Sequence, residues 1–213
     1  TEECIRLAGA LNLPQELSKN YSLMSYLHIM TEDFTEALST AQDALAIAEI
    51  HCSEDIYLHC QIYCSLATAY VYLDRLTEGT KILDLLSHNP FIQNSQLERS
   101  RYLLTKGTLM MKYGLLNDAI TYFSEAEMIA LSFNNHVLLK RIYFYNALAY
   151  EQQRQFEKAY YNLKKYVEKL EATHKEHLFS KVNELDIQHS MSIIERRANI
   201  DTLSGVHTRY YLE

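Results

Sequence analysis

Glycine and proline are nearly missing from this chain: 213 residues carry five of the first and two of the second. Strand-rich folds need many tight turns, and turns draw on those two residues, so their scarcity favours long helices. Tryptophan is absent, and the aromatic load falls on 17 tyrosines, which suit helix interfaces and ligand grooves alike. Positive charge is in deficit. The formal net charge of −7 argues against wholesale binding to nucleic acid. No apolar run approaches the roughly 20 residues that span a bilayer, and no secretory signal is recognisable at the start. Cys4, Cys52, Cys60 and Cys64 lack a framework spacing, so they are expected to be free thiols in a reducing cytoplasm. Gly-rich phosphate loops, an ordered Ser/His/Asp set and zinc-protease motifs are also missing. Catalysis by this chain is not expected, and no metal site is assigned.

What is present is a repeat. Four segments align, around Tyr21–Ala44, Tyr63–Leu86, Leu103–Ala126 and Tyr143–Tyr166. In each, a large residue is followed by a small one, a short turn, an aromatic or leucine, and a second small residue. That second small residue falls at Ala37, Gly79, Ala119 and Ala159, a period of 40 to 42. Small residues at this spacing let two antiparallel helices approach closely, and large ones fill the gap between them. Helix starts are marked by Pro14, by Glu32 and Asp33 before Phe34, and by Asn117 and Asp118 before Ala119.

These features resemble the tetratricopeptide repeat, whose unit is about 34 residues. The resemblance covers about residues 15 to 170. It implies an all-α, superhelical array of antiparallel hairpins with a concave and a convex side. The longer period resembles bacterial regulatory arrays that sense peptides or partner proteins. Residues 1–12 read as part of an earlier repeat, so further repeats are expected upstream. The resulting domain reading is a repeat domain over 1–172, a linking helix over 173–200 and a third segment over 201–213.

In this repeat family, ligands lie along the first helix of each hairpin. Register places Lys19, Gln61, Arg101 and Arg141 at one equivalent position, three of them basic in an acidic chain. A basic row suits a carboxylate, a phosphate or an acidic peptide. The next rows hold Ser22, Cys64, Leu104 and Phe144, then Tyr26, Thr68, Thr108 and Leu148. Tyr72 completes the candidate set. A wall of aromatic, apolar and hydroxyl groups suits a peptide or protein ligand. The alternative is a solvated helix edge with each cation paired to a neighbouring glutamate. Cys60 and Cys64, one turn apart, could offer two thiolates to one metal, but small buried thiols explain them better.

No glycine or proline occurs from Phe156 to Ser204. Apolar residues recur at Leu163, Val167, Leu170, Leu178, Val182, Leu185, Ile187, Met191, Ile194 and Ala198. Their spacings of three and four resemble an irregular coiled-coil seam, interrupted by His174, His177 and His189. The seam reads as a dimerising helix, or as a capping helix on the last repeat.

The end of the chain resembles the opening of a GGDEF domain, the diguanylate cyclase family. That opening is Asp, any residue, Leu-Thr-Gly-Leu, any residue, Asn-Arg-Arg. Asp201, Leu203, Gly205 and Arg209 match it, while Ser204, Val206, Thr208 and Tyr210 depart from it. The resemblance implies a full-length enzyme that joins two GTP molecules into cyclic di-GMP with Mg²⁺. The family's catalytic groups would lie beyond residue 213. This chain would then be a cytoplasmic sensory and dimerisation module, with no membrane segment of its own. A free-standing peptide-binding regulator without an enzyme domain remains open, as does a bare scaffold.

Overall fold

The computed structural model describes residues 2–198, without the side chains of 176, 177 and 192–198. The cyclase-like stretch with Asp201, Leu203, Gly205 and Arg209 lies outside the described residues. Among the described residues there are ten helices and no strand. They are α1 (Glu2–Ala10), α2 (Pro14–Met30), α3 (Phe34–His51), α4 (Ile56–Tyr72), α5 (Leu76–Ser87), α6 (Pro90–Asn94), α7 (Gln96–Lys112), α8 (Leu116–Ser132), α9 (His136–Gln152) and α10 (Phe156–Ala198). The chain divides into two compact units, Thr1–Val167 and Glu168–Glu213.

In the first unit, α2/α3, α4/α5 and α7/α8 form hairpins, and α9 forms a fourth with the start of α10. Hydrogen bonds across the hairpins fix an antiparallel pairing. Ser18 Oγ donates to the Ala44 carbonyl at 2.8 Å, and Ser25 Oγ donates to the Ala37 carbonyl at 2.7 Å. Ser100 repeats the first of these against Ala126 at 3.2 Å. The predicted small positions Ala37, Ala119 and Ala159 are buried, and so is Gly79. A Cβ on Gly79 would stand 2.8 Å from a Val71 methyl. A Cβ on Gly107 would stand 2.5 Å from the Phe123 ring. Glycine at those points lets the paired helices touch.

The turn inside each hairpin is built the same way four times. One residue adopts left-handed φ: Glu32 at 63°, Asp74 at 60°, Gly114 at 77° and Arg154 at 59°. The amide after it reaches back five residues to a carbonyl, as in Asp33 to His28 and Gln155 to Tyr150, both 2.9 Å. This is a Schellman-type closure, which satisfies carbonyls the helix end leaves bare. Only the third turn uses glycine, so the other three hold a Cβ in a conformation costing about 1–2 kcal/mol. Arg154→Gly should therefore raise stability by roughly 0.5–1 kcal/mol, offset in part by the looser unfolded chain. A thermal midpoint that falls instead would show that the arginine side chain matters more than the turn strain.

The second hairpin departs from the expected pattern. Its second helix, α5, stops at Ser87, and the short α6 follows. Pro90 cannot continue a helix from the preceding turn, and the residue before it is driven to extended backbone. Asn89 sits at φ −77° and ψ 120°, and its side chain caps α6 by accepting from the Phe91 amide at 2.9 Å.

The second unit, as far as it is described, is the continuation of α10 from Glu168 to Ala198. Leu178, Phe179, Val182, Leu185, Ile187 and Met191 are all more than half exposed. No helix among the described residues is long and apolar enough to cross a membrane.

Candidate functional site

The first helices of the hairpins, α2, α4, α7 and α9, pack side by side within the first unit. This brings together five of the ten predicted ligand residues. Lys19, Ser22, Tyr26, Gln61 and Arg101 line one cleft of about 230 Å³, together with Ser65 and Glu98.

Arg101 is its centre. Its side chain is only 10% exposed, and that of Glu98 only 3%. Glu98 is placed by the start of α7: its amide donates to the Ser95 hydroxyl, three residues back in a capping arrangement. Arg101 Nη1 donates to both Glu98 carboxylate oxygens at 3.0 Å. Its Nη2 is buried and has no hydrogen-bond partner among the described residues. Burial pushes the guanidinium down, but the charges of Glu98, Cys64 and Tyr26 outweigh it and hold the group above its ordinary range. The guanidinium lies over the Tyr26 ring, 4.5 Å from its centre. Tyr26 comes from α2, two hairpins earlier, so this contact bridges the first and third hairpins over the second.

The equivalent residue, Arg141, makes the equivalent bridge. It lies over the Tyr72 ring at 5.2 Å, joining the fourth hairpin to the second. Tyr72 stacks on Phe34 at 4.3 Å and meets Tyr145 edge-on at 5.6 Å. Its hydroxyl is buried beside the Tyr145 phenol. Burial also drives the Tyr145 phenol far above its ordinary range. Phe144 packs against Tyr145 and Tyr166. Arg141, Tyr72 and Phe144 thus form a second group on the same helices.

The basic row is not a ladder of free charges. Lys19 Nζ is paired with Glu16 at 3.0 Å, Arg101 is paired with Glu98, and Gln61 donates to the Tyr57 hydroxyl at 2.8 Å. Of the three cations in the row, Arg141 alone has no carboxylate within pairing distance among the described residues. Thr68 and Thr108 are buried, and each donates to the carbonyl four residues back. Thr68 also meets Thr105 at 3.0 Å. Both threonines serve helix packing, so neither hydroxyl faces the cleft.

Cys60 and Cys64 lie behind Arg101, free and buried. Hydrogen bonding between the two sulfurs lowers the Cys60 thiol and, with burial, raises that of Cys64. Among the described residues no group of three or more His, Cys, Asp or Glu converges to hold a metal.

No family model matches the chain. No curated protein matches it either.

Proposed function

We propose that the first unit is a tetratricopeptide-like binding array whose first helices form the concave face and receive an acidic peptide or protein segment. The observation that carries this is Arg101. A guanidinium that is nine-tenths buried, with one nitrogen lacking an acceptor, stands at a cleft lined by four other register-equivalent or adjacent residues. An incoming carboxylate would satisfy that nitrogen and gain a charge-assisted bond. Arg141, which lies over Tyr72 and pairs with no carboxylate among the described residues, offers a second anchor. The surrounding tyrosines and Phe144 supply rigid apolar area at low entropy cost. Because Arg101 and Arg141 each clamp a tyrosine two hairpins away, a ligand that draws on either cation would alter how the hairpins are braced. Binding would then be coupled to array geometry.

Short peptides alternating glutamate and leucine test this by fluorescence anisotropy. They should bind, with an affinity that falls as salt is added. Lysine-leucine peptides should not. Arg141→Ala should weaken the acidic peptides about tenfold, the loss of one charge-assisted contact. Equal affinity for both peptide charges would remove the proposal.

The output we assign to this module is the control of a diguanylate cyclase domain in a cytoplasmic enzyme. The support is the similarity of Asp201, Leu203, Gly205 and Arg209 to the start of that domain, after a long helix. GTP and Mg²⁺ would be bound by that domain, not by residues named here. The exposed apolar residues along α10 fit a second copy of the chain, and a homodimer is expected. Light scattering should give twice the monomer mass for the chain and a single monomer mass for Leu178→Glu with Val182→Glu. Those side chains are exposed, so the double change leaves the array folded. An unchanged mass in the variant would remove the helix from the dimer.

A further inference from the structure

A larger cleft of about 680 Å³ lies elsewhere in the first unit, between α8, α9 and the first three turns of α10. Its volume falls within the range of small-molecule sites, roughly 300–1,000 Å³. Asn146 and Asn162 line it, and both are buried, with 3% and 6% exposure. Asn162 donates to the Lys158 carbonyl at 2.9 Å, but Asn146 Oδ1 is buried with no hydrogen-bond partner among the described residues. A buried amide oxygen left unpaired costs about 1–3 kcal/mol.

The repeat shows how the cleft arises. Forty residues earlier, at the equivalent positions of the third hairpin, stand Lys106 and Tyr122. Lys106 Nζ donates to the Tyr102 hydroxyl at 3.1 Å and lies 5.7 Å from the centre of the Tyr122 ring. Those two long side chains occupy space that two short amides do not. The fourth hairpin thus exchanges a filled position for an open, polar one.

We propose that this cleft binds a neutral sugar, of mono- or disaccharide size. Its charges cancel: Glu127 is paired with Lys165 at 3.0 Å, and Glu157 is matched by Lys158. An ion therefore gains little there. Lys158 covers one face of Tyr150 at 5.4 Å, and Lys165 one face of Tyr161 at 4.8 Å. A flat heterocycle sandwiched between rings is thereby disfavoured, while a sugar needs only one ring face, which the exposed Tyr160 provides. A sugar hydroxyl both donates and accepts, so it satisfies Asn146 whichever amide atom faces the cleft. The neighbouring ammonium and carboxylate groups take the remaining hydroxyls.

Saturation-transfer NMR on the full chain, with glucose, N-acetylglucosamine and maltose as probes and adenosine as contrast, tests the assignment. At least one sugar should show transfer, and adenosine should not. Asn146→Lys with Asn162→Tyr installs the residues of the third hairpin and should abolish the signal. Should that variant lose its helical circular dichroism, Tyr160→Ala, a change at an exposed residue, carries the test. It should weaken the bound sugar roughly threefold to tenfold. No transfer to any sugar, transfer to adenosine alone, or sugar signals unchanged in the folded variants would overturn the proposal.

Discussion

Phe123→Ala should cost the array about 3–5 kcal/mol. For a chain of this size that corresponds to a fall in thermal midpoint of roughly 6–20 °C. Phe123 is fully buried and packs directly against Gly107, where α7 and α8 touch. The reason they come so close is Gly107. A Cβ there would meet Phe123 at 2.5 and 2.7 Å and the Ala119 carbonyl at 3.2 Å. The backbone oxygen cannot swing aside, so Gly107→Ala should destabilise by about 1–3 kcal/mol. At an exposed helical position the same change would stabilise by nearly 1 kcal/mol. The sign alone thus separates packing from propensity. With Phe123 already alanine, the ring clash at 2.5 and 2.7 Å disappears and only the 3.2 Å carbonyl contact remains, so Gly107→Ala should cost less than in the parent chain. Urea unfolding of the four members of this cycle reads the coupling directly. Additive costs would mean that the two residues do not share one contact.

Glu98→Ala is the second large effect, again about 3–5 kcal/mol. It strips the carboxylate that accepts both bonds from Arg101 Nη1 and leaves a buried guanidinium without an anion. It also removes an acid from the first turn of α7, where the helix dipole favours one. The cost comes mainly from stranding a charge. Replacing both partners, as Glu98→Leu with Arg101→Met, should therefore restore most of the stability lost. Acidic-peptide binding should be weaker in that double variant than in the parent chain, because the Arg101 anchor is gone. A double variant as unstable as Glu98→Ala would place the loss in packing rather than in the unpaired charge.

Much of this architecture is legible in the sequence. The helical periods, the small residues at Ala37, Gly79, Ala119 and Ala159, and the interval of 40 to 42 are local patterns, and local patterns dictate helices and their pairing. The turns extend the reading: the left-handed residues Glu32, Asp74, Gly114 and Arg154 keep the same interval. Three of them are not glycine, which is why their conformation is invisible to a search for turn residues. The Asn89–Pro90 pair did carry a signal for the break after α5, since asparagine before proline starts turns.

The site was legible only in part. Register alone gathers Lys19, Gln61 and Arg101, and the fold brings them to one cleft with Ser22 and Tyr26. It cannot say which faces turn inward. Thr68 and Thr108 share a register row with Tyr26, yet both hydroxyls bond back to carbonyls of their own helices. Contacts two hairpins apart, such as Tyr26 with Arg101 and Tyr72 with Arg141, depend on how hairpins stack. No pairwise spacing in the sequence encodes that. The cleft at Asn146 and Asn162 is hidden for a similar reason. It shows only when the fourth hairpin is laid over the third and two short amides appear where a lysine and a tyrosine had been.

Hydrogen exchange with and without the glutamate-leucine peptide tests the binding face most directly. Slow exchange extends along a helix when bound ligand suppresses its local opening. Added protection is expected in α2, α4, α7 and α9, centred near Arg101 and Arg141, with little change in α3, α5 and α8. Protection confined to α3, α5 and α8, or no protection at a peptide concentration that saturates the anisotropy signal, would contradict it.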